Sequence, residues 1–224
     1  MSTFNDPVAV ARYLEGPVAK VPGFHALHRM CELLLAERVP DDGRVLVLGA
    51  GGGLELRAFA AARPRWRLVG VDPSAPMLAL AKETLGATAA RVELVEGDID
   101  AAPGLAFDGA TCLLTLHFLS REERLHTLRG ILRRLSPGAP LVVAHHSFDT
   151  TDAGKARWLG RYAAFASPSG VSGRTEAATI AAMRERLPVL SPEADVELLG
   201  QAGFHGIELF YAGFSFRGWV AYRP

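Results

Sequence analysis

The sequence has 224 residues, of which 49% are hydrophobic and 21% are charged, and its formal net charge is zero. A chain of this length can bury a full hydrophobic core, and we expect one domain over residues 1–224. The charge balance gives no support for a nucleic-acid partner, because such proteins usually carry a basic surface. With only Cys31 and Cys112 present, neither a disulfide framework nor a cysteine-based zinc site is indicated, and no metal is expected.

The N-terminal residues carry neither a basic region nor a long apolar segment of the kind found in secretory signals. No uncharged apolar run reaches the length needed to span a membrane. We therefore expect a cytoplasmic protein without a membrane partner. The sequence leaves the oligomeric state open, a homodimer included.

Strand and helix patterns alternate along the first two thirds of the chain. A helix over His25–Glu37 is followed by a turn at Pro40–Gly43. The predicted strands are Arg44–Leu48, Arg67–Val71, Val92–Val95, Gly109–Thr115 and Leu141–Ala144, and the helices between them are Leu54–Ala62, Ala75–Leu85 and Arg121–Leu135. Strands that alternate with helices pair in parallel and form a sheet with helices on both faces.

The alternation of strands and helices ends after the fifth predicted strand. Residues 147–190 predict a helical lid insert, with helices over Asp152–Ala166 and Thr175–Leu187. We expect this insert to cover the pocket, and we expect a helical cap over about residues 5–39.

The end of the chain predicts one more helix and two strands. Ser191 and Pro192 begin the helix as N-cap and first residue, and Gly203 ends it. His205–Tyr211 and Ser215–Tyr222 predict an antiparallel strand pair. The expected fold is therefore α/β and Rossmann-like, with a seven-stranded, mostly parallel sheet and an antiparallel C-terminal pair.

A run of glycines follows the first predicted strand directly. Gly49, Gly51 and Gly53 let the backbone approach a ligand, and the helix that begins after them presents free N–H groups. Asp72 directly follows the second predicted strand, nineteen residues after Gly53, where a carboxylate can accept hydrogen bonds from both ribose hydroxyls. The alternative for the glycines alone is a tight strand-to-helix turn without a ligand. Together with Asp72 they predict a site for a molecule that contains adenosine.

The glycine spacing distinguishes between adenosine cofactors. In a dinucleotide fingerprint the third glycine would fall on Leu54 or Leu56, so neither register fits. The chain also lacks a G-x-x-x-x-G-K-[ST] motif, which argues against a nucleoside triphosphatase. The observed G-x-G-x-G resembles motif I of the class I S-adenosylmethionine (SAM)-dependent methyltransferases.

Four further segments narrow the resemblance: Val21–Phe24, Glu96–Ile99, Gln201–Phe204 and Glu208–Phe216. With motif I, they resemble the family of carboxy-SAM synthases and their methyltransferase relatives over about residues 5–223. The resemblance implies SAM as cofactor and S-adenosylhomocysteine (SAH) as product. The residues that it implies for cofactor binding are Phe24, Gly49, Ala50, Gly51, Gly53, Asp72, Pro73, Met77, Asp98, Ile99 and Thr115. For Asp98, a turn residue that caps a helix is the alternative.

Three departures from the family pattern bear on the reaction. Phe24 stands where the family usually has a tyrosine, and Val47 stands where class I enzymes often have an acidic residue. By hand alignment, Leu198 takes the place of the arginine that holds the extra carboxylate in carboxy-SAM synthases. The sequence therefore favours methyl transfer from SAM to a small-molecule acceptor. Carboxy-SAM synthesis and a catalytically degenerate SAM-binding protein are the alternatives.

Histidines and the lid supply the candidates for catalysis and substrate binding. His117, His145 and His146 are candidate general bases, although a hydrogen-bonded structural histidine is the alternative for each. Neighbours in a strand point to opposite faces, so at most one of His145 and His146 is expected to face the pocket. The candidates for substrate binding on the lid helix are Trp158, Arg161 and Tyr162, and the alternative for the two aromatic residues is a stripe that faces the core.

Overall fold

Strands and helices alternate in the computed structural model, which describes residues 6, 10, 13–167, 181, 183, 185 and 187–224. The helices are α1 (Gly16–Lys20), α2 (Phe24–Ala36), α3 (Leu54–Ala62), α4 (Ala75–Leu85), α5 (Arg121–Arg134), α6 (Asp152–Ala166) and α7 (Pro192–Ala202). The strands are β1 (Arg44–Leu48), β2 (Arg67–Asp72), β3 (Val92–Glu96), β4 (Gly109–Leu113), β5 (Pro140–His146), β6 (His205–Gly213) and β7 (Phe216–Tyr222).

In the described part of the chain, seven strands form one sheet in the order β3-β2-β1-β4-β5-β7-β6. Strands β1 to β5 are parallel, and β7 pairs antiparallel with both β5 and β6. The chain winds outward from β1 to β3 and then returns to β4 on the other side of β1. This reversal opens a crevice at the carboxyl ends of β1 and β4, where ligands bind in such sheets. The predicted α/β fold is confirmed.

Apolar side chains on the two faces of the sheet form separate cores. On one face, residues of α2 and α3 pack on β1 and β5, and on the other face residues of α5 and α7 pack on β1, β4 and β5. Polar groups define the helix ends. Ser120 and Glu123 form a reciprocal capping box at the start of α5, and the Ser191 hydroxyl accepts the Ala194 N–H at the start of α7. Such caps fix where each helix starts relative to the sheet.

Several strand boundaries differ from prediction by one or two residues, and the ends of β4 and β5 differ for identifiable reasons. Strand β4 ends at Leu113, because Leu114 takes a positive φ of 56° and residues Leu116–Phe118 form a 3₁₀ turn. Strand β5 continues to His146, because β7 pairs with it along its whole length. The predicted helix over Thr175–Leu187 lies largely outside the described residues.

A buried polar network joins β5, α5 and α7 on the face opposite α2. Arg124 Nη1 donates to Asp195 Oδ1 at 2.9 Å, and His145 Nε2 lies 3.2 Å from the same oxygen. Two other Arg124 nitrogens donate to the carbonyls of Leu119 and Pro188. The network therefore ties α7 to the sheet through buried charges. Among the helices that the structure describes, none is long and apolar enough to cross a membrane.

Candidate active site

Three adjoining cavities occupy the carboxyl edge of the parallel strands among the described residues. The central cavity has a volume of about 350 Å³ and lies between the glycine loop, β2 and α2. The β3-side cavity, of about 400 Å³, shares Gly49, Pro73 and Thr115 with it. The lid-side cavity, of about 380 Å³, shares Met77 and Phe118 with the central cavity and reaches α1 and α6. The central cavity thus borders each of the other two at the predicted crevice.

The glycine loop can follow its path only without side chains. Gly49, Gly51 and Gly53 all have positive φ, with values of 76°, 49° and 80°. A Cβ atom on Gly49 would collide with the Thr115 side chain, and one on Gly53 would lie 2.8 Å from the Ala81 Cα. Gly49 and Gly53 thus allow close packing of the loop on Thr115, which follows β4, and on α4, while Gly51 lines the central cavity.

Asp72 connects the end of β2 to this loop. Its Oδ2 accepts the Gly51 N–H and its Oδ1 accepts the Ser74 N–H, each at 2.9 Å. Burial raises the pKa of the carboxyl, and these two hydrogen bonds oppose the rise. The bonds use one acceptor site on each oxygen, and a carboxylate oxygen has about two. Asp72 therefore orders the loop and also lines the central cavity.

Tyr13 and Glu55 are among the residues of the central cavity that sequence reasoning missed. Glu55 lies in the first turn of α3 and accepts a hydrogen bond from the Thr111 hydroxyl. Burial raises the pKa of Glu55 to about 8, and that of Tyr13 to about 12 with help from the charges of Asp72 and Glu55. An acidic residue two positions after the glycine run was a signal for Glu55. No sequence signal pointed to Tyr13, which lies far from the glycine run.

Two of the three predicted catalytic histidines line the lid-side cavity. The rings of His117 and His146 lie 4.8 Å apart, and His146 Nδ1 lies 3.0 Å from the Ser215 hydroxyl. Burial and neighbouring histidines lower the pKa of His146 to about 3 and that of His117 well below its usual value. Both rings are therefore neutral at pH 7. His145 points to the other face of the sheet, toward Asp195, and the described residues around these cavities do not include it.

Comparison with known proteins places this site in a family. A family model described as a methyltransferase domain matches residues 45–138. The carboxy-SAM synthase of Erwinia tasmaniensis is 30% identical over 210 residues, covering 91% of this chain and 84% of that protein. The carboxy-SAM synthase of Chromohalobacter salexigens is 28% identical over 207 residues, covering 91% and 77%.

This chain belongs to the class I SAM-dependent methyltransferases, in the family of carboxy-SAM synthases and their relatives. Its cofactor is SAM, as predicted. The structure of PigF with SAH superimposes with a TM-score of 0.67 at 18% identity, covering 98% of this chain and 60% of that one, and thus shares the fold. Tyr13 packs closely on the glycine loop, where a Cβ on Gly51 would lie 2.7 Å from its hydroxyl.

Most of the residues predicted to bind the cofactor lie around two cavities of the methyltransferase. Those that line the central cavity are Phe24, Gly49, Ala50, Gly51, Asp72, Pro73, Met77 and Thr115. Asp98 and Ile99 line the β3-side cavity. Asp98 also accepts the Asp100 N–H at 2.9 Å, so the helix-capping alternative is present in the structure too. Gly53 lies behind the loop, against α4.

The candidate substrate residues on α6 separate into two groups. Tyr162 lines the lid-side cavity, and its ring meets that of His146 edge-on at 5.0 Å. Arg161 lies over the Trp158 ring at 4.6 Å, and Arg217 lies over the same ring at 5.2 Å. Trp158 and Arg161 are not among the described residues that line the three cavities. The structure therefore brings only Tyr162 next to the histidines.

Proposed function

We propose that this methyltransferase transfers the methyl group of SAM to a small molecule bound in the lid-side cavity. The lining residues that neighbouring cavities share support this proposal more than any other observation, because cofactor and acceptor then have adjacent sites that both include Met77 and Phe118. In this arrangement the adenosyl group lies across the central and β3-side cavities. Asp72 accepts the ribose hydroxyls with its remaining lone pairs, and Asp98 and Ile99 contact the adenine.

When bound, SAM supplies a methyl group that its sulfonium already activates. The residues of the chain then have to hold the acceptor in line with that methyl group and keep water out. Tyr162, Phe118 and Phe216 give the lid-side cavity aromatic walls suited to this role. The neutral rings of His117 and His146 have low proton affinity, so we do not assign them as general bases. We assign them to orienting a polar group of the acceptor by hydrogen bonding.

Carboxy-SAM synthesis is the second candidate, because the two relatives compared above carry that name. Leu198, aligned with the family's carboxylate-binding arginine, is 1% exposed and packs in the core that α5 and α7 share. An arginine introduced there would be buried among apolar residues and would not face a cavity. Lys20 lines the lid-side cavity and is the cation that we assign to the carboxylate in this second candidate. A tenfold lower dissociation constant for carboxy-SAM than for SAM, about 1.4 kcal/mol, would favour it.

Binding of SAH gives the direct test of the shared cofactor site. SAH at a hundred times its dissociation constant is expected to stabilise the folded chain by about 2.7 kcal/mol, because it binds only the folded state. For a chain of this length, that corresponds to a rise in melting temperature of about 5–10 °C. Differential scanning fluorimetry with millimolar SAH measures the rise, and NADH is the matched control. A rise with NADH and none with SAH would contradict the proposal.

A further inference from the structure

The position where class I enzymes often carry an acidic residue is apolar in this chain. Val47 belongs to the core beneath α2 and α3. Its partner in the parallel register of β1 and β4 is Thr111, and paired residues on neighbouring strands point to the same face. The Thr111 hydroxyl donates to the carboxyl of Glu55, which therefore comes from α3 to lie over this part of the sheet. The acidic side chain of Glu55 therefore lies near the Val47 position of β1, although it belongs to α3, the helix that follows the glycine loop.

Glu55 is placed to meet a ligand. Its side chain is buried, with the residue only 6% exposed, yet it lines the central cavity beside Gly51 and Asp72. Among the described residues it has no basic partner, since its hydrogen bond comes from the neutral hydroxyl of Thr111. A buried carboxyl that lacks a cation is costly to ionise and gains most from a cationic ligand.

None of the other described titratable groups around Glu55 supplies a positive charge that could pair with its carboxylate. Cys31 of α2 and Cys112 of β4 lie close enough for the charge of Glu55 to raise their pKa values, and Tyr13 covers the loop. Asp72 and His28 line the same cavity, and burial lowers the pKa of His28 to about 4. None of these groups is cationic at neutral pH. The described lining of the central cavity also contains no lysine or arginine.

We propose that Glu55, in the first turn of α3, binds the ammonium group on the methionine portion of SAM. This inference rests on the proposed cofactor site. It assigns a cofactor contact to a residue that the family pattern does not mark. Glu55 is here a binding residue and takes no part in the methyl transfer itself.

Cofactor binding is then coupled to a proton. Burial raises the pKa of free Glu55 to about 8, so at pH 7 the carboxyl is mostly protonated, and it must ionise to pair with an ammonium. Binding should therefore release a proton near pH 7 and should tighten as pH rises from 6 to 8. Tyr13, Cys31 and Cys112 keep their protons in this range and His28 stays neutral, because burial shifts each pKa away from it.

Titration calorimetry of the full chain with two ligands tests this assignment. The ligands are SAH and its analogue without the amino group, and the variants are wild type and Glu55→Gln. The amide oxygen of glutamine can still accept the Thr111 hydroxyl, so the variant matches the neutral acid in shape. At pH 7.5 Glu55→Gln is expected to weaken SAH binding at least about tenfold and to change binding of the des-amino analogue less than about twofold.

Proton release adds a measurement that needs no variant. Titrations of wild type in buffers of different ionisation enthalpy are expected to show release with SAH and much less with the des-amino analogue. Equal SAH affinity in wild type and Glu55→Gln would overturn the role of Glu55 while leaving the cofactor site intact. Equal losses for both ligands would assign Glu55 a structural role and overturn it too. Failure of wild type to bind SAH would overturn both this inference and the proposed function.

Discussion

Replacement of Asp195 by alanine is expected to lower the free energy of unfolding by about 3–5 kcal/mol, because it leaves the guanidinium of Arg124 buried without its anion. The two side chains are 0% and 3% exposed, and Arg124 Nη1 lies 2.9 Å from Asp195 Oδ1. His145 loses its nearest carboxylate in the same variant. Urea unfolding followed by circular dichroism measures the loss.

The exposed pair on the same two helices is the matched control. Arg121 of α5 and Glu197 of α7 approach to 3.9 Å, but both side chains are largely in solvent. Glu197→Ala is expected to change the free energy of unfolding by less than about 0.5 kcal/mol, as for most surface ion pairs. A loss for Asp195→Ala no larger than that for Glu197→Ala would show that the buried network does not anchor α7.

Lowering the pH should reduce the stability that the buried network of Arg124, Asp195 and His145 contributes. Burial by itself would raise the pKa of Asp195, but His145 and Arg124 together lower it below its ordinary value of 3.8. A carboxyl with a lowered pKa in the folded state stabilises the fold above the pKa of the unfolded chain, and this contribution disappears as pH falls through the folded value. The difference between wild type and Asp195→Ala is therefore expected to be full at pH 6 and to shrink below about pH 4.

The fold was predictable because its signals are local. Apolar runs such as Arg44–Leu48 that end in glycine, and helices with clear caps such as the one before Gly203, repeat along the chain in alternation. That alternation determines parallel pairing and thereby the edge where ligands bind. Asp72 followed from the same reasoning, since it ends a strand at that edge. The length of β5 could not be predicted in this way, because it depends on pairing with β7, which lies far along the chain.

The site was less predictable where side chains from distant segments meet. Glu55 lies in the first turn of α3, and only the structure shows its contact with Thr111 of β4. The hand alignment of Leu198 gave a family position, but the side chain turns into the core. Strand alternation did separate His145 from His146, and only the tertiary fold supplied Asp195 and Ser215 as their neighbours. Sequence patterns thus indicate the edge of the sheet where ligands bind and the face on which a side chain lies. Contacts between distant segments are seen only in the three-dimensional structure.

Asp72→Ala is expected to weaken SAH binding about 10- to 150-fold, the equivalent of about 1.5–3 kcal/mol for hydrogen bonds to a charged group. The carboxylate also accepts the N–H groups of Gly51 and Ser74. The variant is therefore also expected to lose about 1–2 kcal/mol of stability, because two partly buried donors lose their acceptor.

Two control variants separate affinity from stability. Ser191→Ala removes the N-cap of α7, away from the cavities, and should cost about 1 kcal/mol of stability without changing the SAH dissociation constant. Asp72→Asn keeps one acceptor oxygen and should fall between wild type and alanine in affinity. A SAH analogue without the ribose hydroxyls should bind Asp72→Ala nearly as well as it binds wild type, because it makes no hydrogen bond to this carboxylate. If Asp72→Ala weakened both ligands equally, the carboxylate would act only through the glycine loop, and the ribose would have to lie elsewhere in the site.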